Sequence, residues 1–123
     1  MPILNVEIVT GPGEVLGPGL AARIADRAGA ILESRPGGTW VTVRALSHQQ
    51  YAESGGGPEP GVRPVFVTVL KAKVGSKEAL AAEARALAAA IGEICGRPAE
   101  NVHLIYQPDG AGRVAFGGKV VSG

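Results

Sequence analysis

One pattern in this chain restricts its fold more than any other: a strand–helix–strand unit is written twice. Ile3 to Val9 (ILNVEIV) is rich in β-branched residues and bounded by Pro2 and Thr10-Gly11-Pro12-Gly13, which reads as a strand with turn punctuation. A Gly/Pro-rich loop through Gly17-Pro18-Gly19 follows. A helix is expected from about Pro18, with Leu20, Ile24, Ala28, Ile31 and Leu32 at helical spacing and Pro36-Gly37-Gly38 as its end. Trp40 to Leu46 (WVTVRAL) reads as a second strand. Ser47 to Gly61 (SHQQYAESGGGPEPG) reads as a linker or long surface loop.

The pattern then restarts. Val65 to Leu70 (VFVTVL) is a strand, Ser76 a helix N-cap, and Glu78 an acid in the first turn, where the helix dipole favours it. Leu80, Ala84, Leu87, Ala88, Ile91, Ile94 and Cys95 form one apolar stripe, and Gly96 and Pro98 stop the helix. Val102 to Tyr106 (VHLIY) is the fourth strand, and the Gly-rich turn region Gln107 to Gly118 precedes a short Val120-Val121 end.

The halves align by counting. Pro2 and Pro64 precede strands 62 positions apart, and Leu20, Ile24, Ala28 and Ile31 fall on Leu80, Ala84, Ala88 and Ile91 at 60. The expectation is an α+β fold: a tandem β-α-β duplication giving a four-stranded mixed sheet with two helices on one face. Residues 1–123 would be a single domain, with units at about 1–46 and 62–121 joined by the linker at about 47–61. The strand at 40–46 is apolar on both alternations, Val41, Val43 and Ala45 against Trp40 and Leu46. A sheet apolar on both faces must be buried on both, so a symmetric homo-oligomer is expected to cover the face without helices.

Composition excludes several functions. A net charge of +1 on 123 residues speaks against a nucleic-acid protein with a broad basic surface. The one cysteine, Cys95, rules out a disulfide framework and reads as core. No apolar run reaches the roughly 18 residues of a membrane span, and the N-terminus has no basic n-region, so a cytoplasmic location is expected. Gly17-Pro18-Gly19-Leu20-Ala21-Ala22 matches G-x-G-x-x-A, but no acidic residue follows at the end of the second strand, and no P-loop is present. His48, His103 and Cys95 lack metal-ligand spacing, and Ser47-His48 has no placed acid for a triad.

A Met-Pro start running into a strand, the repeated β-α-β unit, and a closing Val114-Ala115-Phe116-Gly117-Gly118 turn resemble the tautomerase superfamily. Its members include 4-oxalocrotonate tautomerase, 5-carboxymethyl-2-hydroxymuconate isomerase and macrophage migration inhibitory factor. The length and the two units are similar to the latter two. Val43 to Ala52 (VRALSHQQYA) and Glu100 to Leu104 (ENVHL) add to the likeness. The resemblance implies a homotrimer with sites near subunit interfaces, no cofactor or metal, and a small carboxylate substrate.

The resemblance also makes Pro2 the catalytic base. Once Met1 is removed, Pro2 carries a free secondary amine; a free α-amine titrates near about 7.7–8.0, and burial or nearby cations lower that. An amine titrating near working pH is a good general base, able to take a proton from an enol hydroxyl or α-carbon and return it elsewhere on the substrate. Pro64, mid-chain, has only an amide nitrogen. Set against the family pattern, Pro12 stands where an arginine is expected, and Lys73 lies near the equivalent place in the second unit. Thr42 and His103 replace the arginine of the strand after the helix, with Arg44 two residues on as substitute. Arg35, Arg113 and Phe116 complete the substrate-binding set. The expected activity is keto–enol tautomerisation of 2-hydroxy-dienoates or 2-oxo acids. The alternatives are hydration, dehalogenation or decarboxylation using an added acid such as Glu7 or Glu53, or a non-catalytic oligomeric binding protein if Met1 is kept.

Overall fold

The computed structural model describes residues 1–122. In chain order they form β1 (Ile3–Thr10), α1 (Leu20–Ile31), β2 (Trp40–Ser47), β3 (Val65–Leu70), α2 (Lys77–Cys95), β4 (Val102–Tyr106) and a small hairpin of β5 (Ala115–Phe116) and β6 (Lys119–Val120). The main sheet has the order β2-β1-β3-β4. β1 is parallel to β2, β3 is parallel to β4, and the central β1–β3 pair is antiparallel. Two strand–helix–strand units thus share one mixed sheet, and both helices cover the same face.

The core follows from strand alternation. Leu4, Val6 and Ile8 of β1 and Val65, Val67 and Val69 of β3 point at the helices and are fully or almost fully buried. They meet Ile24 and Ala28 of α1 and Leu87 and Ile91 of α2. Each such Leu, Ile or Val stabilises the fold by about 1.5–3 kcal/mol relative to an exposed one.

α2 has the expected ends. Ser76 Oγ accepts from the Ala79 N–H at 3.2 Å, and Glu78 lies in the first turn. Gly96, with φ of 71°, reverses the chain so that Arg97 N–H reaches the Gly92 carbonyl at 2.8 Å. That is the six-to-one bond of a Schellman turn. α1 is shorter than expected at both ends. Gly19 adopts φ of 92°, so the helix opens at Leu20 rather than near Pro18. It closes at Ile31, well before Pro36, because Glu33 turns into the left-handed region (φ 54°) and Ser34 N–H bonds back to the Gly29 carbonyl at 2.9 Å.

Two refinements to the repeat appear. The helix-facing residues of β1 and β3 correspond at an offset of 61, one away from both the helix offset of 60 and the proline offset of 62. Because side chains alternate with period 2, Pro2 lies on the helix-facing alternation while Pro64 lies on the other. The face without helices is also mixed rather than apolar. On β2 it carries Trp40, Thr42, Arg44 and Leu46, and across the sheet Asn5, Glu7, Phe66, Thr68, His103 and Ile105. Trp40 and Ile105 remain 52% and 57% exposed there.

Candidate active site around Pro2

Pro2 immediately precedes β1 and is buried. On one side its carbonyl accepts from the Trp40 N–H at 3.0 Å. On the other, the register that pairs Ile3 with Leu70 sets Lys71 beside it. Both residues share the alternation that faces the helices. A cavity of about 210 Å³ opens here, walled by Pro2, Lys71, Lys73, Met1, Glu33 and Ser34. Glu33 reaches it from the left-handed residue that ends α1, a backbone conformation uncommon for a side chain of this size. Ser34 is fixed by a 2.6 Å hydrogen bond to Thr39, itself buried.

Lys71 is held from below. Its Nζ donates to Glu83 Oε1 at 2.6 Å, and the Tyr106 hydroxyl donates to Glu83 Oε2 at 2.8 Å. The Lys71 and Glu83 side chains are only 20% and 15% exposed. Burial first, then the hydrogen bond to Glu83, pushes the Tyr106 hydroxyl well above the usual tyrosine range, so it stays a proton donor.

Met1 walls this cavity and one other. Its amine donates to the Gly38 carbonyl at 3.1 Å. Its side chain reaches Gly110, where any Cβ would collide with the Met1 methyl. A second cavity of about 370 Å³ has Met1, Arg35, Trp40 and Phe116 in its wall. A third, about 380 Å³, has Gly110, Leu70 and Arg113. Phe116 meets Trp40 edge to face, with ring centroids 5.1 Å apart. It is placed by the β5–β6 hairpin, whose two-residue loop Gly117-Gly118 has φ of 57° and 88°. A two-residue loop with both φ values positive needs glycine or its few substitutes.

Of the residues singled out from sequence, Pro2 and Lys73 therefore share one cavity. Arg35 and Phe116 line a second cavity that Met1 also walls, and Arg113 lines a third with Gly110. Arg44 and His103 are elsewhere: they project from the face without helices. Arg44 lines a hollow of about 350 Å³ with Asn5, Glu7, Thr42 and Thr68. His103 lies against Phe66, centroids 5.5 Å apart. The reason is the pleat: Arg44 pairs with Glu7, one step off the alternation of Pro2. Glu7 shares that hollow, and Glu53 is hydrogen-bonded to Tyr51 at 2.6 Å in the loop after β2. Sequence reasoning missed Lys71, Glu83, Tyr106 and Glu33. Only the antiparallel register of β1 and β3 points to Lys71, and the other three come to it through packing.

No protein-family model and no curated protein matches the sequence. Solved structures do match the fold. Macrophage migration inhibitory factor from Oncomelania hupensis superposes with a TM-score of 0.74 at 18% identity, over 98% of this chain and 82% of that one. A fused 4-OT, solved as a wild-type symmetric trimer, superposes at 0.74 and 16% identity, over 97% and 94%. Malonate semialdehyde decarboxylase superposes at 0.68 and 17% identity, over 93% and 89%. The chain has the tautomerase-superfamily fold. In this fold the buried Pro2 stands at the start of the first strand, with Lys71 and Lys73 beside it from the chain that follows β3. No helix among the described residues is long and apolar enough to cross a membrane.

Proposed function

We propose that this chain, once Met1 is removed, is a cofactor-independent tautomerase acting on small 2-hydroxy-dienoate or 2-oxo acids, with Pro2 as general base. The observation that carries the reading is the side-by-side placement of Pro2 and Lys71 in a cavity also walled by Lys73. Pro2 is buried, and the two ammonium groups beside it are positioned to meet the substrate's negative charge. The amine takes the enol proton of the substrate and returns it at carbon, a net isomerisation without oxidant or reductant. Lys71 and Lys73 bind the carboxylate and stabilise charge developing on the dienolate. Met1 walls both the Pro2 cavity and the one holding Arg35 and Phe116, so its loss would open the two to each other. This gives one cleft with an aromatic wall and cations at its flanks.

A homotrimer fits this reading. Further copies would cover the helix-free face with its exposed Trp40 and Ile105, and the fused 4-OT of similar fold is a symmetric trimer. Arg44 and His103 would then sit between copies.

Glu33 supports a second reading, hydration or decarboxylation of a small acid. It is the carboxylate in the Pro2 cavity, held at a left-handed backbone position, whereas Glu7 and Glu53 lie away from it. Halo-acrylates and 3-oxo acids turned over in preference to dienols select this reading.

The test is intact mass before and after 3-bromopyruvate. A methionine-free chain taking one adduct mapped to Pro2 is expected. Pro2→Ala should slow ketonisation of a 2-hydroxy-dienoate by about 100- to 10,000-fold. Full rate in that variant would sink the proposal, as would an unlabelled Pro2 in methionine-free protein.

A further inference from the structure

We propose that Glu83 and Tyr106 are positioning residues that hold the Lys71 ammonium at the Pro2 cavity, so that a 2-oxo carboxylate meets a fixed cation. This inference rests on Pro2 being the reacting amine. It goes beyond that reading by assigning a role to two residues outside the cavity wall.

Lys71 leaves the end of β3 on a stem of four flexible carbons. Lys73, two residues on, is exposed. Lys71 instead is largely buried, and a buried ammonium is tolerated only when it is paired. Glu83, from the second turn of α2, provides the pair. Its carboxylate is gripped at both oxygens, Oε1 by Lys71 and Oε2 by the Tyr106 hydroxyl. Tyr106 comes from the end of β4, where it pairs with Val69, two residues before Lys71. The network therefore ties α2, β3 and β4 together under one ammonium. An ammonium has three N–H donors. One is spent on Glu83, and the others remain for a ligand at the wall it shares with Pro2. A carboxylate arriving there finds a cation whose desolvation and orientation are already complete.

The experiment is saturation kinetics of Pro2 alkylation by 3-bromopyruvate on the methionine-free protein, followed by mass. The amine nitrogen bonds to C3 of the reagent, the C–Br bond breaks, bromide leaves, and the amine proton passes to solvent. At about pH 9, above the ordinary α-amine range, the amine is unprotonated in every variant. Glu83→Ala should raise the saturation constant about five- to tenfold with the maximal rate within about twofold, Tyr106→Phe should raise it about twofold, and Lys71→Met sets the value expected with the ammonium gone altogether. Because Glu83 acts through Lys71, Glu83→Ala should add nothing in the Lys71→Met background. Glu83→Gln keeps both acceptors' shape and carries the same test if the alanine variant does not fold. An unchanged saturation constant in the Glu83 variants overturns the inference, as does an undiminished effect in the Lys71→Met background. An unlabelled wild-type Pro2 overturns the reading beneath it as well, whereas a normal Pro2 adduct with an unmoved saturation constant overturns this inference alone.

Discussion

At one end of the sheet the Arg97 guanidinium, only 11% exposed, donates to the carbonyls of Val9 at 2.8 Å, Arg63 at 3.0 Å and Cys95 at 3.1 Å. It also grips both oxygens of Glu14, at 3.0 and 3.1 Å. At the other end Lys71 commits one hydrogen bond to Glu83 and keeps its remaining donors at the wall beside Pro2. The central strands have the same relation at both ends, since β1 and β3 run antiparallel and each end joins the start of one to the finish of the other. A cation whose donors all go to its own chain closes an end of the fold. A cation with donors to spare, set beside a cavity, leaves the end ready for an anion. The planar five-donor fork of arginine suits the first task and the single-point ammonium of lysine the second.

The largest expected effect tests whether the closed end is purely structural. Arg97→Ala leaves three carbonyls and Glu14 without their partner and should cost about 3 kcal/mol in urea unfolding. Pro2 alkylation in the folded variant should be unchanged; a matching fall in alkylation would mean that the two ends are coupled and the contrast is false.

A smaller effect separates two tightly fitted glycines, one at each end. At Gly92, in α2 at the closed end, a Cβ would lie 2.6 Å from the Arg97 carbonyl, which is backbone and cannot yield. At Gly110 the collision is with the Met1 side chain, and the next contacts, to Leu70 and the Lys71 carbonyl, are 3.2 Å. Gly92→Ala should therefore destabilise by about 2 kcal/mol whether or not Met1 is present. Gly110→Ala should cost about 1 kcal/mol more in protein that keeps Met1 than in protein that lacks it. Equal costs at Gly110 in the two forms would show that Met1 does not fill the space between the cavities.

The smallest effect concerns pH. The hydrogen bonds from Arg97, and then from the Gly11 N–H, hold the Glu14 carboxyl below its ordinary value of 4.5. A depressed carboxyl stabilises the fold above its unfolded-state value and loses that contribution as pH falls through the folded one. Thermal unfolding should thus favour wild type over Glu14→Gln at neutral pH, with the gap closing below about pH 4.5. A gap that is constant from neutral to acid would remove charge from the account of the closed end.

Much of the fold was legible because its signals are local. β-branched runs between Gly and Pro, the Ser76 cap, the Gly96 turn and the apolar stripe of α2 each lie within a few residues, and the elements fall where those signals place them. α1 was overextended because the left-handed turns at Gly19 and Glu33 have no signal as strong as the prolines beyond them. Resemblance singles out Pro2 and Lys73, which lie in one cavity, and Arg35 and Phe116, which lie in the next. The opposite face for Arg44 and His103 was not legible, since a one-residue change of offset moves a strand residue through the sheet.

The amino-acid sequence by itself determined the elements, their order and the twofold repeat, since hydrophobic period and capping act over a single turn or strand. Only the tertiary structure decided that Lys71 stands beside Pro2, that Glu83 and Tyr106 secure it, and that Arg97 seals the far end. Those juxtapositions depend on antiparallel register and on helix packing across the sheet, which join residues tens of positions apart and leave no trace in any local stretch of chain.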